Sequence, residues 1–269
     1  MFGVVSPERA TPRYWERAGK ESNVGEFVSI GAPLSQHDTA TRSGDCLRVW
    51  RLDGVAFESA EFTLVKDRHD AWCNVLRNLP AGRTAVYHHR IHRRIHDRLT
   101  DASEPEFSAA FSKAYQDRIS VAPMMSNELY ITLLYRPFPS ELAKRSVRAS
   151  RTKESLTDYQ NQTLATMEQQ GALIERSLRE FGPTLLGCYE QDGNLFWESG
   201  ELFSFLINGV WRKVRFPTGP AYQALPDARL TFGGGMLEIR QGERRRYASM
   251  LSIKEFAGQV EPGTLGALL

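Results

Sequence analysis

The sequence predicts an α+β fold, in which mixed or antiparallel sheets pack against helices. Three observations indicate it: segments with strand alternation are separated by segments with helical spacing, one strand is apolar on both faces, and the second half of the chain repeats this order of elements. With 269 residues, of which 41% are hydrophobic and 25% charged, the chain can bury a substantial core. We expect two ferredoxin-like halves, each a split βαβ unit.

The first predicted strand follows an extended arm over residues 1–45, which shows little periodicity. The stretch CLRVWRLDGVAFE alternates from Cys46, and Asp53-Gly54 supplies a turn signal, so we expect a hairpin or a bulged strand there. The stretch HDAWCNVLRNL has apolar residues at helical spacing and stops before Pro80. The stretch RTAVYHHRIHRR begins with strand-forming residues, which makes the local order strand, helix, strand.

A further helix and strand complete the first half, which we assign to residues 46–140. The stretch SEPEFSAAFSKAYQDRI begins with a capping box of Ser103 and Glu106. Its apolar residues share one helix face: Phe107, Ala110, Phe111, Ala114 and Tyr115. The stretch ELYITLLYRP is apolar on both faces and stops at Pro137, which is typical of a central strand.

A basic, Ser-rich segment over residues 141–153 separates the halves. Its cationic residues are Lys144, Arg145, Arg148, Arg151 and Lys153. Two interpretations stay open: a connector, or a patch for acidic lipid headgroups or another protein.

The second α+β half, over residues 154–269, begins with a long helix from about Thr157 to Phe181, closed by Gly182-Pro183. A heptad-like stripe marks it: Tyr159, Thr163, Met167, Gln170, Ile174, Leu178 and Phe181. Because the middle of this helix is rich in Gln, we expect part of it to face solvent or a partner. Next come a strand with a turn at Asp192-Gly193, a short helix in GELFSFLINGVW, and strands joined at Gly242.

Four of the six histidines lie between Val86 and Arg98, so this stretch is a candidate metal site. On a helix, His88, His92 and His96 would share one face at a spacing that can hold an ion. On the predicted strand, neighbouring members lie roughly 13 Å apart, and the interleaved arginines repel a cation. We expect a solvated strand edge. A self-contained metal-dependent enzyme built on His88, His89, His92 and His96 is one alternative, and a basic strip that contacts phosphate or a partner is another.

Other catalytic signatures are missing from the sequence. The FGGGM stretch lacks the Lys and the following helix of a phosphate-binding loop, so we expect a turn or bulge there. There is no GxSxG or HExxH motif. Glu198 and Glu201 are expected to be surface charges. Cys46, Cys73 and Cys188 form no CxxC pair and are expected to be small buried hydrophobes in a reducing cytosol.

The composition limits the class of partner. The net charge of +2 argues against a dedicated nucleic-acid module, so no direct nucleic-acid contact is expected. No stretch approaches eighteen consecutive apolar residues, the length that spans a bilayer.

Four longer phrases carry a family resemblance: VSIGAPLSQHDTATRSGDCLRVWRLDGVAFE, NELYITLLYRP, EIRQGERRRYASMLSIKEF and PGTLGALL. The chain resembles the N-terminal region of the type IV secretion ATPases of the VirB/TrbE/CagE class, which power bacterial conjugation and effector export. The family's LYxTLxYRP strand matches Leu129 to Pro137, and its IKEYP…PG segment matches Ile253–Phe256 with Pro262-Gly263. The resemblance covers about residues 28–269, with the phrases in the family's order and spacing.

The resemblance implies an assembly or scaffold domain at the cytoplasmic face of the inner membrane. Its partners would be inner-membrane secretion-complex subunits, other copies of the ATPase and other secretion ATPases, with peripheral membrane contact. ATP and Mg²⁺ would bind in a C-terminal RecA-like motor domain, which this sequence does not contain. No catalytic, cofactor or metal residue carries over, so we expect no enzyme activity from this segment. Candidate contacts with partners or acidic surfaces are Lys144–Lys153 and the run Arg244, Arg245 and Arg246.

Overall fold

The computed structural model describes residues 23–55, 61–95, 106–119, 124–138, 153–233 and 235–251. The predicted α+β class is confirmed, since helices and antiparallel sheets alternate along these residues. The first part of the chain contains β1 (Ile30–Pro33), β2 (Asp38–Thr41), β3 (Cys46–Leu52), α1 (Phe62–Asn78), β4 (Thr84–Ile95), α2 (Glu106–Ile119) and β5 (Met124–Tyr135).

The second part begins with the long helix α3 (Lys153–Ser177) and a 3-10 turn at Arg179–Phe181. The remaining elements are β6 (Pro183–Leu185), β7 (Cys188–Gln191), β8 (Asn194–Trp197), α4 (Glu198–Asn208), α5 (Ala221–Ala224), β9 (Arg229–Phe232), β10 (Leu237–Gln241) and β11 (Arg244–Ala248). A further 3-10 turn, Val24–Glu26, precedes β1.

The main sheet has the order β1-β2-β3-β5-β4, and all its pairings are antiparallel. β5 lies between β3 and β4, as its two apolar faces predict. The other edge of β3 is shared, because its first residues pair with β2 and Trp50–Leu52 pair with β6.

One face of the main sheet packs against α1 and α3. Trp50 and Leu133 on the sheet meet Met167, Ile174 and Leu178 on the helix in one buried cluster. The middle of the predicted helical stripe is therefore the buried face of α3, and Gly171, which is not part of the stripe, is buried on that face as well. α3 ends at Ser177, before the predicted end at Phe181, and a 3-10 turn covers Arg179–Phe181. That turn ends at Gly182, whose φ of 60° is a left-handed conformation that favours glycine.

The other face of the sheet packs against the second part of the chain. Leu47, Val49 and Tyr130 join a buried cluster with Trp197 and Leu202 of the β8–α4 corner. β7 and β8 form a small hairpin, and β9, β10 and β11 form a separate three-stranded sheet. The predicted turns are confirmed: Asp192 and Gly193 both have positive φ, as in a type I′ hairpin, and Gly242 joins β10 to β11.

Two expectations about the fold are not confirmed by the structure. Two ferredoxin-like halves are not confirmed, because α3 and β6, from the predicted second half, complete the core and the edge of the first sheet. The division at residues 140 and 154 stays a prediction. The next element described after Asp53-Gly54 is α1, and Gly54 adopts a positive φ of 80°. Residues 56–60, where the second strand of the predicted hairpin would begin, lie outside the described residues.

The expectations for the cysteines and for α2 were only partly met. Cys46 is 1% exposed, but Cys73 and Cys188 are only partly buried. α2 forms from Glu106, while Ser103 lies outside the described residues. Phe111 and Tyr115, from the predicted apolar face of α2, stack on each other and remain 66% and 56% exposed.

Candidate docking surface

The histidine stretch forms β4, as predicted, and the strand separates its members. His88 lies beside an apolar pocket, the Oγ1 of Thr132 lies 3.2 Å from Nε2 of His89, and His92 hydrogen-bonds through Nδ1 to Oδ1 of Asn127 at 2.7 Å. His96 lies outside the described residues. Within the described part of the chain, no three His, Cys, Asp or Glu side chains come together to hold a metal ion.

The surroundings of His88 and His89 favour the neutral imidazole. Burial and the charge of Arg90 lower the pKa of His88, and burial and His88 lower the pKa of His89. A neutral imidazole is able to bind a metal ion. The strand separates these imidazoles, however, so each would provide a single ligand and not part of a shared site.

The expectation that Glu198 and Glu201 are surface charges was wrong. Glu201 is 8% exposed, and the Tyr189 hydroxyl donates to its Oε1 over 2.7 Å. Glu198 accepts a hydrogen bond of 2.7 Å from the backbone N–H of Gly187. Burial, followed by the Glu201 carboxylate, raises the pKa of Tyr189 to about 12. Both carboxylates thus fasten the first turn of α4 to β7.

An ion cluster that the sequence analysis missed joins β2, β3 and α3, and its members Asp38 and Arg48 are buried while Glu168 is exposed. Arg48, 4% exposed, donates to both carboxylate oxygens of Asp38 over 2.8 and 2.9 Å. Its third contact is a 2.7 Å hydrogen bond to Glu168 on α3. Alternation alone places an arginine on that face of β3, but only the tertiary structure supplies both partners. The cluster satisfies its own charges and is structural.

A pocket of about 420 Å³ lies between α1 and the main sheet. Its apolar lining includes Leu52, Trp72, Leu129, Ile131 and Leu178, and its polar lining is Arg68, His69 and His88. Arg68 is already engaged, since it donates to Glu180 over 3.1 Å. The other two polar side chains that line the pocket are the two histidines. The lining suits an apolar group and contains no carboxylate.

The FGGGM stretch connects β9 to β10, as expected for a turn. The backbone N–H of Gly233 donates to the carbonyl of Met236 over 2.9 Å, and a strand follows. The loop thus lacks the helix N-terminus with which phosphate loops bind anions.

Of the predicted contact residues, the structure describes mainly the run on β11. Lys144, Arg145, Arg148 and Arg151 lie outside the described residues, and only the backbone of Lys153 is described, as the first residue of α3. Because side chains alternate along a strand, Arg244 and Arg246 lie on one face of β11 and Arg245 on the other. Arg246 donates to the carbonyl of Gly209 over 3.3 Å.

The strand register adds two arginines that the sequence analysis missed. Arg245 lies directly opposite Arg240, and Arg240 lies directly opposite Arg229. These three residues, the arginine row, cross all three strands on one face, and each is exposed. Neighbouring strands lie about 4.8 Å apart, so the guanidinium groups are close neighbours. The sequence offered one signal for Arg240: if two strands meet at the predicted Gly242 turn, Arg240 and Arg245 lie opposite each other on the same face.

Like charges directly opposite each other destabilise a sheet, and an anion bound across them removes that repulsion. Glu238 is the nearest carboxylate along β10, two residues from Arg240 and on the same face, between Thr231 and Tyr247. Tyr247 is exposed beside the row. Four exposed apolar side chains lie at or beyond the opposite end of the three-stranded sheet: Phe232, Met236, Met250 and Leu251. Tyr247 lies on the same face as the arginine row, whereas Phe232 lies on the opposite face of the sheet, because side chains alternate along each strand. The surface therefore combines a cationic row with one exposed aromatic side chain.

The helices in the described residues include none that is both long and apolar enough to cross a membrane.

Comparison with known proteins identifies the family. The family described as "Type IV secretion system ATPase VirB4/TrbE, N-terminal domain" matches residues 39–143. A second description, "CagE, TrbE, VirB family, component of type IV transporter system", matches residues 184–269. Together the two matches cover more than half of the chain.

Individual relatives agree with this assignment. The chain is 34% identical to the type IV secretion system protein PtlC of Bordetella pertussis over 262 residues, 94% of this chain and 31% of PtlC. It is 30% identical to the type IV secretion system protein virB4 of Brucella abortus over 268 residues, 97% of this chain and 32% of that protein. The chain thus spans about a third of the length of these relatives. It belongs to the VirB4/TrbE family of type IV secretion proteins.

Proposed function

We propose that this chain is the assembly domain of a type IV secretion ATPase, which docks the motor to inner-membrane components at the cytoplasmic face. The whole protein would energise the transfer of conjugative DNA or effector proteins. Family membership supports the secretion role, and the arginine row on the β9–β11 sheet is the observation that supports docking.

The arginine row is suited to an acidic partner surface because its charges act together. A single exposed ion pair contributes only about 0–1 kcal/mol, so one arginine would not hold a partner. Three arginines aligned across the strands, together with exposed Tyr247 on the same face, provide several charges and an aromatic anchor on one small sheet. The expected partners are secretion-complex subunits, further copies of the ATPase, other secretion ATPases and acidic lipid headgroups beside them.

Catalysis is assigned by the same proposal to a different part of the protein. ATP and Mg²⁺ would bind in a C-terminal motor domain, for which the greater length of PtlC and virB4 leaves room. In this segment no residue is proposed to bind a cofactor or to hydrolyse ATP, and its contribution would be position and assembly.

The test replaces Arg240→Glu and Arg245→Glu together in the native gene. We expect the variant protein to leave the inner-membrane fraction and DNA or effector transfer to fall, because the row then repels acidic partners. The matched control is Lys66→Glu with Arg77→Glu, two exposed cationic residues on α1 that give the same change in charge. The control should keep both membrane association and transfer.

Unchanged membrane association of the Arg240→Glu, Arg245→Glu protein would overturn docking through this row. A circular dichroism melt of each purified variant separates loss of docking from loss of fold. Both substituted arginines are exposed, so the melting temperature should stay close to that of the wild type.

A further inference from the structure

We propose that the outer edge of β4 binds an extended segment of another protein, alternately acidic and apolar, as an added β-strand. β4 is the last strand of the main sheet, and in the described residues it pairs only with β5. A strand edge left open presents a row of backbone N–H and C=O groups, which is the template for strand addition. This surface lies on a different sheet from the arginine row, and the inference does not depend on the proposed function.

The exposed edge is unusually long. β4 has 12 residues, whereas strands in globular proteins usually have about 3–10. β3 pairs with β5 only as far as Leu129, so Ile91–Ile95 and Met124–Glu128 continue as a two-stranded ribbon beyond it. This extension lengthens the open edge of β4, because its opposite edge remains hydrogen-bonded to β5 along the whole ribbon.

The two faces of β4 differ in whether their arginines are paired with a carboxylate. Arg93 is paired, since its Nε donates to Oε1 of Glu128 over 2.8 Å and its guanidinium lies 5.7 Å from the centroid of the Trp211 ring. On the opposite face, Arg90 and Arg94 are exposed, and their direct partners on β5 are Leu129 and Met125. Within the described residues, neither of these two arginines forms an ion pair with a carboxylate.

The alternation of β4 defines the chemistry of the added strand. A residue directly opposite on a neighbouring strand has its Cβ about 4.5–5.5 Å away. Acidic residues at every second position would therefore lie opposite Arg90 and Arg94, with His88 and His92 beside them. The residues between them would extend the face where Ile91 is buried and Tyr87 is half exposed, so apolar side chains fit there.

The same charges argue against a second copy of this chain as the occupant. An antiparallel pair of β4 strands places cationic residues of one copy near those of the other, and like charges across strands are destabilising. Charge complementarity therefore selects an acidic segment from a different protein.

The probe is a labelled peptide of about ten residues in which Glu and Val alternate, matched by a peptide of alternating Lys and Val. Fluorescence anisotropy measures binding to the chain, and amide hydrogen exchange locates it. We expect the Glu peptide to bind and to slow exchange within residues 84–95, and the Lys peptide to do neither. Failure of the Glu peptide to bind, or binding without added protection in β4, would overturn the proposal.

Variants assign the charge contribution. Arg90→Glu with Arg94→Glu should weaken binding of the Glu peptide by at least about tenfold, since two attractive cross-strand pairs become repulsive. Arg176→Glu with Arg179→Glu, on the exposed side of α3 and the turn after it, makes the same change in charge and should leave binding unaltered. Equal weakening by both pairs would show attraction to net charge and overturn the assignment to β4. All four arginines are exposed, so we expect both variant proteins to remain folded. Circular dichroism of each purified variant checks this.

Discussion

At the scale of single residues, the carboxylates of this chain are mainly structural. Glu201 is buried at the start of α4 and accepts the hydroxyl of Tyr189, while Asp38 is held by Arg48 inside the main sheet. Buried carboxylates need such partners, because an unpaired charge away from water is costly. Glu201, expected to be a surface charge, and Asp38 thus both contribute to the fold.

The Tyr189 contact predicts a pH dependence. Its pKa is raised from an ordinary value of 10 to about 12, so the folded state favours the protonated phenol. The corresponding stability is complete below pH 10 and is lost as the pH rises through about 12. Tyr189→Phe should lower the free energy of unfolding by about 1–2 kcal/mol at neutral pH and flatten its fall above pH 10.

Urea denaturation at a series of pH values measures both effects. The pKa of Tyr130 is also raised, by burial and then by Glu128, so the wild type and Tyr189→Phe share that contribution and their difference reports Tyr189 alone. Identical pH profiles for the two proteins would contradict the prediction.

At the scale of elements, the contact between α3 and the main sheet is close enough to require a glycine. A Cβ added at Gly171 would lie 2.9 Å from Nη1 of Arg48 and 3.2 Å from the ring of Trp50. Arg48 cannot easily move aside, because Asp38 and Glu168 hold its guanidinium. Helix propensity and packing therefore make opposite predictions for this position.

We expect Gly171→Ala to lower the free energy of unfolding by about 1–2 kcal/mol, although alanine is the better helix former by about 1 kcal/mol. Chemical denaturation provides the measurement. Ala165→Gly, on the exposed side of the same helix, measures propensity alone and should also destabilise. A more stable Gly171→Ala protein would show that the sheet yields at this contact.

Local patterns predicted several elements well. The stripe of α3 from Thr163 to Leu178 is its buried face, and Asp192-Gly193 forms its hairpin turn. In both cases the deciding interactions lie within a few residues of each other. The exposed aromatic pair on α2 shows the limit: periodicity locates an apolar face and does not name what packs on it.

At the scale of the whole molecule, one sheet holds the two parts of the chain together. Its first face packs α1 and α3, and its second face packs the β8–α4 corner. The two surfaces proposed to bind partners, the arginine row and the edge of β4, belong to different sheets. Separate contacts with separate partners are therefore possible.

The native size of the protein tests the family interpretation at this scale. We expect an antibody raised against this chain to detect, in the source cells, a protein roughly three times its length, like PtlC and virB4. It should be found with the inner membrane. Immunoblotting of membrane and soluble fractions makes the measurement. A soluble band at 30.5 kDa would contradict the motor-docking proposal.

The sequence by itself determined the type of most of the longer elements, the turns between short strands and the family, but it assigned β1 and β2 to an extended arm. These features depend on periodicity, turn conformation and motif order, which neighbouring residues encode. The tertiary structure alone decided that α3 completes the first sheet, that Glu201 is buried, and that Arg229 and Arg240 align with Arg245. Those outcomes depend on register and on contacts such as Arg48 with Glu168, 120 residues apart, where a shift of one residue would turn every side chain to the other face.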